Sequence, residues 1–186
     1  MSEIKKYPKG LEKERRFLLK EDQFDPTIFH NKKFIQQAYL SVDNESGNNT
    51  RLRIEDWAKA TITHKHIVDA QTRQEFDFDV DLSKASELFA KSTWKLEKMR
   101  YSKLIMQHGG QVNGELVVDF YPDGTAVVEI EYFDEWLYNL HQAYDGRNLP
   151  DLCGKEITGL KAFSNITLAA MMENQQFDHN AALPAI

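Results

Sequence analysis

The strongest constraint in this chain is a set of charged residues spaced two apart on one strand-like run after another. Residues two apart in an extended strand share a face. Glu12, Glu14 and Arg16 share a face in this way, as do Arg51 and Arg53. Lys65 lines up with Thr61 and Thr63, and Arg73, Glu75, Asp77 and Asp79 alternate with Gln74, Phe76, Phe78 and Val80. Lys98 and Arg100 alternate with Met99 and Tyr101, Asp119 faces away from Val118 and Phe120, and Glu129 and Glu131 alternate with Val128, Ile130 and Tyr132. Any one such strand reads as a sheet with its apolar face on a core and its polar face in water. The set reads differently because its doublets are sorted by sign. Arg51/Arg53 and Lys98/Arg100 are cationic pairs, whereas Glu12/Glu14 and Glu129/Glu131 are anionic ones. Like charges held side by side cost stability unless an opposite charge sits between them. A sheet closed into a barrel turns such a face inward, where it must stay wet and hold ions. Clustered cations then suit an oxygen-rich anion, and clustered carboxylates a hard divalent cation.

Eight runs carry the strand pattern, at 10–20, 33–42, 50–57, 60–68, 72–81, 95–106, 112–121 and 125–133. Turn chemistry separates several of them: the Asn, Ser and Gly residues of 43–49, Gly109-Gly110, and Pro122-Asp123-Gly124. Helices are expected at 83–91 with Ser83 as cap, at 134–144 with Asp134 as cap, and at 165–174. The predicted fold is α+β and mainly β: an eight-stranded antiparallel β-barrel with flanking helices. One domain is expected over 1–174, with 175–186 a flexible tail. The formal net charge of -6 disfavours a blanket nucleic-acid-binding surface. A lone cysteine, Cys153, suits a reducing compartment. The first residues have no apolar signal-peptide core, and no apolar run approaches the ~20 residues of a membrane span. A cytoplasmic protein with no membrane partner is the expectation, and a homodimer is compatible with it.

The ordered doublets resemble the signatures of the CYTH, or triphosphate tunnel metalloenzyme, superfamily. Glu12-x-Glu14-x-Arg16 resembles its opening Glu-x-Glu-x-Lys, Arg51-x-Arg53 its Arg-x-Arg, and Thr61-Ile-Thr63-His-Lys65 its Thr-x-Lys strand. Arg73-x-Glu75, Lys98-x-Arg100, Asp119 and Glu129-x-Glu131 follow in the family's order, and GKEITGLKAFSN resembles its closing segment. The match spans about Leu11 to Leu168. The resemblance implies a triphosphate lying across Arg51, Arg53, Lys65, Arg73, Lys98, Arg100 and Lys161. It implies Mg²⁺ or Mn²⁺ at Glu12, Glu14, Asp119, Glu129 and Glu131, with Glu75 supporting the guanidinium groups. Either Lys155 or Lys161 of the closing segment could face the tunnel. One position departs from the family. Arg16 replaces a lysine that works in part of the family with a tyrosine, which Tyr39 could match, and arginine cannot accept a proton because its pKa exceeds ~12.

The resulting expectation is a metal-dependent triphosphatase acting on a small molecule, with inorganic tripolyphosphate the favoured substrate. Thiamine triphosphate hydrolysis and class IV-type adenylate cyclisation are the enzymatic alternatives. A non-catalytic polyphosphate or nucleotide-binding module is the third reading. A lipocalin-like carrier is disfavoured by the charged strand faces. His64 and His66 flank Lys65 on the opposite, outer face and read as surface residues rather than metal ligands. Asp77 and Cys153 read as structural.

Overall fold

The structure, a computed structural model, describes residues 11–43, 45–106, 110–142 and 148–174; the side chains of residues 11, 12, 173 and 174 lie outside that description. Within it are strands β1 (Leu11–Leu19), β2 (Asn31–Val42), β3 (Asn49–Glu55), β4 (Lys59–Ile67), β5 (Thr72–Val80), β6 (Lys95–Met106), β7 (Val112–Phe120), β8 (Ala126–Tyr132) and β9 (Cys153–Glu156). The helices are α1 (Leu82–Lys91), α2 (Glu135–Gln142) and α3 (Asn165–Asn174). The expected tail, 175–186, Gly109 and the far end of the expected second helix lie outside the described residues.

The strands pair antiparallel in the order β5-β4-β3-β2-β6-β7-β8-β1, and β5 returns to β1, so eight strands close into a barrel. Closure is shared. β1 pairs with β8 along Lys13–Leu18, and its other edge meets β5 at Leu11–Lys13 and β9 at Phe17 and Leu19. β9 was not expected as a strand; it is short, and it ties the closing segment to β1. Arg15 reinforces it from outside the barrel, with Nε and Nη2 donating to the Glu156 carboxylate at 2.9 and 2.6 Å.

Local chemistry sets the ends of the elements. The cap of α1 is Asp81 rather than Ser83: its carboxylate accepts from the backbone N–H groups of Ser83 and Lys84, because an ionised side chain meets the helix N-terminus better than a hydroxyl does. Asp134 caps α2 as expected, accepting from Leu137 N at 3.1 Å. Gly124 takes a left-handed φ of 85° in the β7–β8 turn, where a side chain would be strained. Gly114 leaves room for α2, since a Cβ there would lie 2.7 Å from Leu137 Cδ2.

Three apolar clusters pack the barrel. One joins α2 to the outer faces of β6, β7 and β8 through Tyr101, Leu116, Ile130, Tyr132 and Leu137. A second lays α1 on β3 and β4 through Leu52, Ile54, Ala60 and Ala85. The third differs. Tyr39 pairs in register with Arg51, Leu96 and Val127 share strand faces with Lys98 and Glu129, and all three belong to a cluster with Leu168 and Met172 of α3. The inward face therefore turns from charged to apolar at one end, and α3 packs there rather than on the outer wall.

Candidate active site

Strand alternation brings the charged doublets into one interior. A cavity of about 380 Å³ is lined by seven Lys and Arg and eight Asp and Glu side chains, so its wall is close to neutral before any ligand enters. A second cavity of about 400 Å³ opens beside α3, between the β2–β3 connection, the β4–β5 connection and the segment after β9. Glu14, Arg51, Lys65, Arg73, Glu129 and Asn165 line both cavities, so the two meet at a charged waist.

Among the expected phosphate ligands, Arg51, Arg53, Lys65, Arg73 and Arg100 line the first cavity. Lys65 is ion-paired with Glu75, Arg51 Nη2 lies 3.4 Å from the same carboxylate, and Arg73 is paired with Glu14. Glu75 therefore stands between Arg51 and Lys65. Arg51 and Arg53 each keep a buried Nε with no hydrogen-bond partner. Burial and the adjoining Arg51 and Arg100 lower Arg53 to about 10, which leaves it charged at neutral pH. Lys161 lines the second cavity, whereas Lys155 is exposed on β9 and lines neither.

Lys98 and Asp119 occupy a different setting. Both are 0% exposed. Lys98 Nζ donates to Asp119 Oδ2 at 2.6 Å, and Arg100 grips the same carboxylate through Nε and Nη2, each at 2.7 Å. Arg100 Nη2 also donates to Glu129 Oε2 at 3.0 Å, and Glu129 Oε1 lies 2.9 Å from Arg16 Nε. The result is an alternating chain of five charges, Lys98–Asp119–Arg100–Glu129–Arg16, built into the wall. Burial alone would raise the Glu129 carboxyl, but Arg16 and Arg100 outweigh it and hold it well below the usual range. Burial pushes the Lys98 ammonium down to about 7 despite Asp119.

Arg16 faces the interior. Its Nη1 donates to the Phe163 carbonyl at 2.8 Å, and its Nη2 is buried without a hydrogen-bond partner. Burial lowers its pKa, but Glu129, Tyr121 and Glu14 more than offset this, so the guanidinium stays charged. Tyr39 lines the second cavity and accepts from Gln37 Nε2 at 2.7 Å. Burial pushes its phenol up to about 12 against the pull of Arg51 and Arg16, so Tyr39 is a neutral hydroxyl.

Glu12 pairs with Arg73 through its backbone register, and its side chain lies outside the described residues. Among the described residues, Glu131 is an interior carboxylate with no ion pair or side-chain hydrogen bond. In register it sits between Glu14 of β1 and Glu115 of β7, and all three line the first cavity. Burial pushes Glu131 up to about 7, with Glu129, Glu14 and Glu115 adding to it against Arg100. Sequence reading missed Glu115. Its signal was present, since Glu115, Val117 and Asp119 alternate on β7, but Val117 broke the doublet. Among the described residues, no three His, Cys, Asp or Glu side chains already stand close enough to hold an ion. The all-oxygen row Glu14–Glu131–Glu115 nonetheless has the donor chemistry that Mg²⁺ or Mn²⁺ requires.

A carboxyl whose pKa is higher folded than unfolded contributes stability below the unfolded value of 4.5, and that contribution is lost as pH rises toward about 7. Glu131→Gln is therefore expected to raise the melting temperature above that of the unaltered protein, by a margin that widens from pH 5 to pH 7.5 in metal-free buffer. Thermal melts across that interval measure it. A constant or shrinking margin would mean that Glu131 is compensated in the folded protein.

The chain folds as a closed antiparallel barrel whose inward face carries the charged doublets. No protein-family model and no curated protein matches the chain. Solved structures do: PH1819 protein from Pyrococcus horikoshii OT3 superposes with a TM-score of 0.64 at 18% identity, covering 87% of this chain and 99% of that one. PH1012 protein from the same organism gives a TM-score of 0.55 at 18% identity, covering 70% and 88%. HpAC1 from Hippeastrum, an adenylyl cyclase candidate described as having a dominant triphosphatase activity, gives 0.49 at 15% identity, covering 71% and 84%.

Proposed function

We propose that this protein hydrolyses the triphosphate group of a small molecule inside the tunnel with the help of Mg²⁺ or Mn²⁺, and that inorganic tripolyphosphate is its substrate. The observation that carries this reading is the waist, where Arg51, Lys65 and Arg73 converge from three neighbouring strands on space shared by both cavities. Phosphoryl transfer demands neutralisation of charge on phosphate oxygens and an in-line nucleophile. Guanidinium forks and an ammonium supply the first. The near-balance of charge in the wall supports the second component. A triphosphate carries more negative charge than a neutral wall can offset, so a cation must accompany it. Glu14, Glu131 and Glu115 would hold that cation, with Glu12 as the family resemblance implies. Asp119 and Glu129 already compensate Lys98, Arg100 and Arg16 and serve as counter-charges. A bound divalent ion supplies charge neutralisation and an acidified water. Arg16, with its permanent charge, orients and neutralises rather than moving a proton, and Tyr39 contributes a hydroxyl hydrogen bond.

One observation favours a second reading, in which the triphosphate carries an organic group, as in thiamine triphosphate hydrolysis or adenylate cyclisation. The second cavity is lined by Val42, Ile67, Leu160 and Ile166 beside its polar residues, and an inorganic anion has no use for these.

Purified protein is expected to release phosphate from tripolyphosphate with Mg²⁺ or Mn²⁺ and to lose that activity in excess chelator. Parallel assays with ATP and thiamine triphosphate, with detection of cyclic AMP, separate the two readings. Equal turnover in chelator would overturn the metal requirement, and no turnover of any triphosphate would leave a binding module.

A further inference from the structure

The described side chains that line both cavities are charged, with one exception. Glu14, Arg51, Lys65, Arg73 and Glu129 each meet an opposite charge, whereas Asn165 is neutral. Asn165 opens α3, yet its side chain does not cap that helix. Ser164 does so, with Oγ accepting from Thr167 N at 3.2 Å. The Asn165 amide is engaged elsewhere. Tyr121, the residue after β7, is 1% exposed, and its hydroxyl donates to Asn165 Oδ1 at 2.5 Å. Burial, with Asp119 and Glu129 nearby, holds the phenol well above its ordinary value, so it keeps its proton and needs an acceptor. With the amide turned over, its nitrogen would face the hydroxyl and the buried O–H would lose its acceptor. The carbonyl oxygen is therefore committed to Tyr121, and the amide nitrogen is the open end. Among the described residues, none accepts from that nitrogen.

We propose that Asn165 is a phosphate-binding residue of the tunnel: its amide nitrogen donates to a phosphate oxygen at the waist, and Tyr121 is the positioning residue that fixes which end of the amide faces the ligand. The inference rests on the triphosphate reading of the tunnel and adds to it a donor that no described carboxylate holds. Arg51 and Lys65 share Glu75, and Arg73 is paired with Glu14, so an incoming phosphate competes with carboxylates for these cations. The Asn165 amide has no such tie. Its orientation is set before the ligand arrives, which removes an ordering cost. Its neutrality matters as well. Glu14 and Glu129 stand on the same waist, so an aspartate here would add to the repulsion of an anion. An amide supplies a donor without altering the charge balance of the wall.

Calorimetric titration of the full chain with Mg²⁺ and a methylene-bridged triphosphate, which cannot be hydrolysed, tests this. Asn165→Ala is expected to weaken binding about 10- to 100-fold, the scale of one hydrogen bond to a charged group. Asn165→Asp should weaken it further. Asn165→Ala also orphans the Tyr121 hydroxyl, so its melting temperature should fall. Tyr121→Phe combined with Asn165→Leu removes both partners. Its melting temperature should stay closer to that of the unaltered protein, while binding is as weak as in Asn165→Ala. Tyr121→Phe alone frees the amide to turn, so binding weakens less, and adding Asn165→Ala to it costs less than in the unaltered protein. Equal affinity in the unaltered protein and all Asn165 variants overturns the inference and leaves the triphosphate reading standing. Fully additive losses at the two positions overturn the positioning role of Tyr121. An unaltered protein that does not bind the analogue overturns the triphosphate reading and this inference with it.

Discussion

Asp119→Ala is expected to destabilise the fold by about 3–5 kcal/mol, the range for breaking a buried ion pair from one side. Asp119 is fully enclosed, and its two oxygens receive Lys98 Nζ, Arg100 Nε and Arg100 Nη2 within 2.7 Å. Removing the carboxylate leaves two enclosed cations facing each other. Lys98 can escape by deprotonating, since its pKa already lies at about 7, but a guanidinium cannot. Against a total stability of roughly 5–15 kcal/mol this loss is large, and at about 2–4 °C per kcal/mol it lowers the melting temperature by roughly 6–20 °C. Thermal melts with and without Mg²⁺ distinguish the roles open to Asp119. A counter-charge gives a lower melting temperature in both conditions. A metal ligand gives an unchanged value without Mg²⁺ and loses only the rise that Mg²⁺ produces.

Arg51→Ala carries the largest expected effect on activity. Its side chain is 8% exposed and lies on the waist; its ion pair with Glu75 spans 3.4 Å, and Glu75 retains Lys65 without it. The fold should therefore tolerate the change. Losing one partner of a buried charged contact with substrate costs roughly 2–4 kcal/mol, which lowers kcat/KM by about 30- to 1000-fold. Arg53→Ala should behave similarly, because Arg53 adjoins Arg51 on the same face and keeps a buried Nε without a partner. Arg51→Lys should recover part of the activity by restoring charge without the bidentate fork. Steady-state kinetics on tripolyphosphate measure all three. An unchanged kcat/KM in both alanine variants would remove the two arginines from the substrate's path.

The two experiments bear on different halves of one arrangement. The wall chain from Lys98 to Arg16 spends its charges on itself, which fixes the shape of the tunnel. At the waist Arg51, Lys65 and Arg73 line both cavities while pairing with Glu75 and Glu14, and the buried Nε atoms of Arg51 and the adjoining Arg53 have no hydrogen bond. Unsatisfied buried donors are rare and need a reason; under the proposed function a bound phosphate would supply one.

Much of this was legible in the sequence because strand geometry is local. A period of two decides which residues share a face, so Arg51 with Arg53, Arg73 with Glu75 and Glu129 with Glu131 could be placed together from order alone. The sorting of sign within doublets carried the inference from sheet to closed barrel, since only an interior gives such pairs opposite charges to face. Turn residues set the strand boundaries to within a few positions, and Asp81 displaced Ser83 as a cap by a purely local competition. What the tertiary structure decided is which charge meets which. Asp119 and Glu131 look alike in sequence, each an inward carboxylate between apolar neighbours. Asp119 sits in register with Arg100, whereas Glu131 sits between Glu14 and Glu115. The first is neutralised and enclosed, and the second is held near neutral pKa with no cation to itself. Register between strands distant in sequence makes that difference, through electrostatics acting over a few ångströms, and no pattern within a single strand contains it.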